Sequence, residues 1–231
     1  MADDLHLIIA NKAYSSWSMR PWIAMKAQGL EFRETVIGLD QPDTQARIKA
    51  FSPAGKVPVL QHGAITVWDS LAIIEYLAER HAGVWPEDVE ARAWARSAAA
   101  EMHSGFTALR NDCTMNCGVR VRLKPRSEAL EHDLFRLDDL WNDGLARFGG
   151  PFLTGESFSA VDAFFAPVAF RARTYGLRFT GAASAYPARL LDLPAMREWY
   201  ESALAETWRE PRHEAEMLAE GELVEDLRAQ A

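Results

Sequence analysis

Two cysteines in 231 residues, Cys113 and Cys117, are far too few for a disulfide-stapled secreted domain. Their i, i+4 spacing suits a metal pair, but no other cysteine or histidine cluster stands beside them. Structural or incidental buried thiols are the expectation, and no metal site is assigned. Long apolar runs are missing too. The longest, Leu5–Ala10 and 161–170, fall well short of the roughly 20 residues a membrane span needs, and Pro167 interrupts the second. Excess positive charge is also absent: the formal net charge of −8 opposes binding along a phosphate backbone. Neither nucleic acid nor a membrane is therefore expected as a partner. The chain opens with Asp3 and Asp4, without a basic region followed by an apolar stretch and a small-residue cleavage site, so a cytoplasmic location is expected.

What is present is the composition of a folded globular protein, 48% hydrophobic and 25% charged. Its length exceeds one compact domain, so two are expected. The apolar run Leu5–Ala10 reads as a buried strand. A helix follows over 17–28, stopped by Gly29. Pro21 is tolerable in its first turn, which puts the helix start at 17–19 with Ser15 and Ser16 just before it. A second strand over 32–37 completes a strand, helix, strand unit, hence a partly parallel sheet. A short helix ending at Phe51, a hairpin over 59–68 and a helix over 71–78 follow. The break at 81–86 then gives way to long Ala, Arg, Glu and Leu patterns, with helical periodicity over 89–109, 127–148, 161–174 and 194–205. Residues 149–151 and 182–187 read as turns, the basic run Arg120, Arg122, Lys124 and Arg126 as a loop, and the tail after Glu206 as a charged, helix-forming, mostly solvated face. The expected domains are 1–82, α/β, and 88–231, all-helical.

Three places carry chemistry. Ser15 and Ser16 sit at the mouth of the first helix, where unpaired N–H groups and partial positive charge stabilise an anion. Capping the helix is the plainer role for them. Val57-Pro58 lies between a Gly-Lys turn and a strand, where a cis bond would turn the Val57 backbone toward an extended peptide, while an ordinary trans turn is the commoner outcome. Asp69-Ser70 opens another helix and offers N–H groups and a hydroxyl to a carboxylate, or caps that helix and no more.

Taken in order, Tyr14-Ser15-Ser16-Trp17-Ser18-Met19-Arg20, Gly55-Lys56-Val57-Pro58-Val59-Leu60 and Asp69-Ser70-Leu71-Ala72-Ile73-Ile74-Glu75-Tyr76-Leu77 resemble the thioredoxin-like domain of the glutathione S-transferase family. The resemblance is strongest to its zeta-like group, which includes maleylacetoacetate isomerases. It covers about the first 85 residues strongly. It extends into the helical part through Ser159-Ala160-Val161-Asp162, similar to the family's helix-capping box.

The resemblance implies a thioredoxin-like α/β domain followed by an all-α domain, a homodimer, and glutathione as co-substrate. Ser15 would donate to the glutathione sulfur, with Ser16 and Trp17 beside it. Val57 would pair through its backbone with the cysteinyl unit, before a cis Pro58. Asp69 and Ser70 would hold the γ-glutamyl end, and Lys56 would reach the glycine carboxylate or the peptide's periphery, or stand exposed without a contact. Met102, His103, Phe106 and Arg110, flanking the small Gly105, are candidates for the electrophile pocket, together with Arg173, the alternative being a packing stripe at the domain interface in which His103 is a hydrogen-bonded core histidine. The zeta-type motif has a cysteine where this chain has Trp17, and the isomerases' substrate-binding arginine would fall near Thr174, with Arg171 and Arg173 as neighbours. The expected activity is glutathione transfer to a small electrophile. Glutathione-dependent cis-trans isomerisation is the nearest alternative, and non-catalytic ligand or partner binding the alternative of another class.

Overall fold

A computed structural model describes residues 4–228. Strand β1 (Leu5–Ala10) is buried on both faces and sorts its side chains by the period of two. Leu5, Leu7 and Ile9 enter the main core, whereas Ile8 enters a smaller cluster with Ile37, Ile48 and Val59. Helix α1 (Ser16–Ala27) crosses over to β2 (Arg33–Ile37), which pairs parallel to β1. After α2 (Thr44–Lys49), the hairpin β3 (Val59–His62) and β4 (Ile65–Trp68) adds antiparallel strands, giving the order β2-β1-β3-β4. Helix α3 (Ser70–Ala78) and α1 pack on the main-core face, and α2 on the other. The result is the thioredoxin-like α/β domain.

The first helix starts earlier than the position of Pro21 suggests. Ser15 is already the N-cap and accepts from the Ser18 N–H at 3.3 Å, so Pro21 falls in the second turn, inside the helix. There its ring removes one i→i−4 hydrogen bond. The packing of Met19, Trp22, Ile23 and Met25 into the core holds the helix regardless.

The linking segment 79–88 has no regular structure, yet Val84 and Trp85 are buried and the Val84 carbonyl accepts from the Ala160 N–H at 2.8 Å. Beyond it come α4 (Val89–Ser104), α5 (Thr107–Asp112), β5 (Val119–Leu123), α6 (Glu128–Phe148), α7 (Ala160–Tyr175), α8 (Tyr186–Leu191), α9 (Pro194–Ala205), α10 (Pro211–Glu220) and β6 (Gly221–Asp226). Helix α7 is the hub, buried on nearly every face and packed against α1, α4 and α8. Its first turn is held by Asp162, which accepts from the Ser159 and Leu153 N–H groups and from the Tyr186 hydroxyl. Burial pushes the Asp162 carboxyl up to about 6.

Four expectations are corrected here. The single helix over 89–109 is two, because the chain breaks at Gly105 and Phe106 takes a left-handed φ of 56° to start α5. A side chain at Gly105 would meet the Glu101 carbonyl at 2.9 Å, so only glycine fits the break. The basic run begins in a strand: β5 pairs antiparallel with β6, so this domain is helical with a two-stranded ribbon. Residues 181–185 form a 3-10 turn leading directly into α8. The tail is only in part a solvated face, since Glu210, Met217 and Arg228 are buried. Among the described residues no helix is long and apolar enough to cross a membrane.

Candidate active site

The chain leaves β1 through a tight turn in which the Tyr14 and Ser15 N–H groups donate to the Asn11 carbonyl. The tail fixes that turn from outside: the Glu206 carboxylate accepts from the Lys12 N–H at 2.6 Å and the Ala13 N–H at 3.0 Å. Burial raises the Glu206 pKa, with those two backbone donors opposing it. The Ser15 hydroxyl donates to Ser18 Oγ at 2.8 Å, and Ser18 Oγ accepts from the Ala10 N–H at 3.1 Å. The fully buried Ser18 thereby ties the helix mouth to the end of β1. Tyr14 is engaged elsewhere, its hydroxyl donating to Glu214 at 2.5 Å and accepting from Arg228 at 2.7 Å. Burial and Glu214 raise its pKa above the ordinary phenol value, so Tyr14 is not a hydroxyl free to serve a ligand.

Two cavities meet at this mouth. The larger, about 660 Å³, is lined by Ser15, Trp17, Lys56, Val57, Pro58, Asp69 and Ser70 among others. Those are all the residues expected around glutathione except Ser16, which lines only the second cavity. The Val57-Pro58 bond is cis. Asp69 caps α3 with a left-handed φ of 75°, one carboxylate oxygen accepting from the Leu71 N–H at 2.8 Å and the other lying 3.5 Å from His103 Nε2. Ser70 beside it is 1% exposed, and its hydroxyl has no partner among the described residues. A buried hydroxyl left without a partner costs about 1–3 kcal/mol, which a ligand acceptor in the cavity would recover.

The second cavity, about 280 Å³, is lined by Tyr14, Ser15, Ser16, Trp17, Arg110, Thr114, Arg171 and His213 among others. Ser15 and Trp17 belong to both. The Trp17 ring is the partition, packed edge-on against His103 at 5.1 Å, with the Arg20 and Arg110 guanidiniums over it at 4.2 and 4.9 Å. Burial lowers the His103 pKa, opposed by Asp69.

Of the residues expected around an electrophile, only Arg110 lines this cavity. His103 lies behind Trp17. Met102 shares the buried face of α4 with Ala95, Ala98 and Ala99, and belongs to the core. Phe106 is the buried cap residue of α5. Arg173 lies elsewhere: it stacks on Tyr200 at 3.9 Å and lines a separate cavity with Leu177 and Pro187. At 3.6 residues per turn, positions 171 and 173 sit about 200° apart around a helix, so α7 can present only one of them to the cavity. It presents Arg171, whose Nε donates to the Cys113 carbonyl at 2.7 Å. Thr114 and His213 also escaped the sequence reading. Cys113 and Cys117 are free, buried thiols raised to about 12 by burial, and neither supplies a thiolate at neutral pH.

Residues 14–80 match the model of the glutathione S-transferase N-terminal domain and residues 125–202 that of its C-terminal domain. Glutathione S-transferase 1 of Dianthus caryophyllus is 32% identical over 162 residues, 66% of this chain and 71% of the relative. The chain belongs to the glutathione S-transferase family. Within it, a probable maleylacetoacetate isomerase of Caenorhabditis elegans is 34% identical over 99 residues, 42% of this chain and 46% of the relative. Glutathione S-transferase Z1 of Arabidopsis thaliana is 25% identical over 201 residues, 83% of this chain and 86% of the relative. Among solved structures, a glutathione transferase homolog from Burkholderia gl BGR1 with bound glutathione has a TM-score of 0.66 at 24% identity, covering 87% of this chain and 98% of that one. At that identity the likeness speaks for the glutathione S-transferase fold, with both domains in the same order.

Proposed function

We propose that this protein is a glutathione transferase in which Ser15 polarises the thiol of glutathione held in the larger cavity and delivers it to an electrophile in the second. The observation that carries this reading is the placement of Ser15, at a helix N-terminus and in the wall of both cavities. A group that activates a nucleophile for transfer has to stand where the two substrates meet. Ser18 supports it. When the Ser15 O–H turns to the sulfur, Ser18 can donate its own proton to Ser15 Oγ while still accepting from Ala10. Ser70, with its unpartnered hydroxyl, and the α3 N-terminus suit the γ-glutamyl carboxylate. The Val57 backbone suits the cysteinyl unit and Lys56 the glycine carboxylate. A zeta-like class belongs to the same reading, supported by the serine motif and by relatives named maleylacetoacetate isomerase; a symmetric dimer and a cytoplasmic location are proposed with it.

The thiol of free glutathione titrates near the ordinary thiol value of about 8.5, so roughly 3% is thiolate at pH 7. Lowering it by two units, about 2.7 kcal/mol, raises that fraction to about three quarters. One charge-assisted hydrogen bond together with the helix end supplies this much. Titrating the ultraviolet thiolate absorbance of the complex tests the reading, and a thiol pKa that stays at its free value removes it. The isomerase alternative is favoured by the same named relatives, and would show as turnover of a cis-enone without net consumption of glutathione.

A further inference from the structure

Away from the mouth of α1, the cavity that holds Arg173 has a character of its own. It has a volume of about 450 Å³ and lies between the end of α7, the segment that follows it, and α8. Ala169, Ala172, Leu177, Phe179, Pro187 and Leu191 give it apolar walls, and Arg173 and Arg178 supply its charge. The Arg173 guanidinium is stacked on the Tyr200 and Phe170 rings at 3.9 and 4.9 Å, which strips water from it. Its Nε and Nη2 are enclosed and have no hydrogen-bond partner among the described residues. Nη1 is not enclosed with them and is the end of the fork that the cavity can reach.

Among the described residues no carboxylate answers this charge. Neither Arg173 nor Arg178 forms an ion pair there, and the groups that act on Arg173 are Tyr200, Cys117 and Arg120, the last against its charge. Acidic residues on the bordering elements are engaged elsewhere: Asp138 accepts from the Thr180 N–H and hydroxyl, and Asp192 is paired with Arg197 at 3.0 Å. The carboxyl-terminal end of α7 offsets Arg173 only in part, since a helix end carries about half a charge. In a chain of net charge −8, two arginines without a carboxylate beside an apolar hollow mark a place for an anion from outside.

We infer that this cavity binds an amphiphilic monocarboxylate, its hydrocarbon body against Leu177, Phe179 and Leu191 and its carboxylate on Arg173 Nη1, with Arg178 at the rim. A single open N–H end suits a carboxylate oxygen better than a phosphate, whose larger charge and extra oxygens call for several donors. The hydrocarbon is needed as well. An ion pair near the surface is weak in water, so most of the affinity has to come from apolar area covered by the walls. The cavity shares no lining residue with the two at the α1 mouth, and the inference stands apart from the glutathione reading.

Calorimetry on the full chain with 2-naphthoate and its neutral amide, 2-naphthamide, tests it. The carboxylate is expected to bind about tenfold or more tightly than the amide, as for a hydrogen bond to a charged group in place of a neutral one. Arg173→Met should bring the two affinities together. Ala188→Phe, at an exposed position in the cavity wall, should weaken 2-naphthoate about tenfold by filling the space its rings need. Equal affinity of carboxylate and amide for the wild type overturns the inference, as does failure of both to bind. So does a preference for the carboxylate that survives in Arg173→Met, since the anion then rests on another cation. Should that variant not fold, Ala188→Phe decides, and an affinity for 2-naphthoate that the added ring leaves unchanged rules out this cavity.

Discussion

The two cavities that share Ser15 and Trp17 are built in opposite ways. The larger draws its groups from short stretches of the first 70 residues, mainly 15–17, 54–58 and 68–70, and offers hydroxyls, helix ends and backbone. The smaller adds to the same helix mouth residues from α5, from the segment after it, from α7 and from α10, spread over about two hundred positions, and offers guanidiniums. Local chain conformation makes the first, through a cap, a cis bond and a left-handed Asp69. The second is made by helix faces brought together in packing. A ligand common to a whole family suits the first kind of construction, and a substrate particular to one member suits the second.

Ser15→Ala is the sharpest test of that division. Turnover should fall about a hundredfold or more, as for loss of one preorganised donor, while the glutathione Kd stays within about threefold. Unchanged turnover would move the role to Ser16, which faces only the smaller cavity, and the comparison would have to be redrawn. Ser70→Ala should weaken glutathione about tenfold by calorimetry, close to 1.4 kcal/mol, with the KM for the electrophile unmoved. An electrophile KM that moves instead would mean the cavities are not separate in function. Glu206→Gln puts an amide where two backbone donors expect a carboxylate, and thermal unfolding should report a loss of about 1 kcal/mol.

The smallest effect is one of slope. Asp162 has a folded pKa of about 6 against roughly 3.9 unfolded, so between these values the folded protein holds the extra proton. Its contribution is fully present below pH 4 and is lost as pH rises through 6. Asp162→Asn should remove that decline, a fraction of the roughly 1.4 kcal/mol per pH unit that one whole proton carries, measured as the difference between the two denaturation-versus-pH curves. Superimposable slopes would show that α7, which carries Arg171, is not anchored by a titrating group.

How much of this could be read from the chain follows the same line. The sheet and its helices were legible because each is signalled within a few positions, as by Gly29 after a helix; the residues of the larger cavity stood out only through the family resemblance of three short stretches, since locally capping and a trans turn are the plainer readings. Pro21 misled because core packing outweighed a missing hydrogen bond. Arg173 was chosen over Arg171 because a single sequence shows that a cation is on α7 but not which way the helix is turned, and Met102 was taken for a cavity wall for the same reason. The tail's inward contacts were missed because acidic residues normally signal solvent, and nothing near Glu206 or Glu214 names partners about two hundred positions away.

Those partners have a consequence for how the protein is made. A carboxylate at position 206 and the Glu214–Arg228 pair brace the bend at residues 12–14, so the bend lacks its brace until residues 206–228 have left the ribosome. The amino-terminal part of a nascent chain holds every group that lines the larger cavity, yet it waits for the carboxyl-terminal segment before the opening of α1 is set.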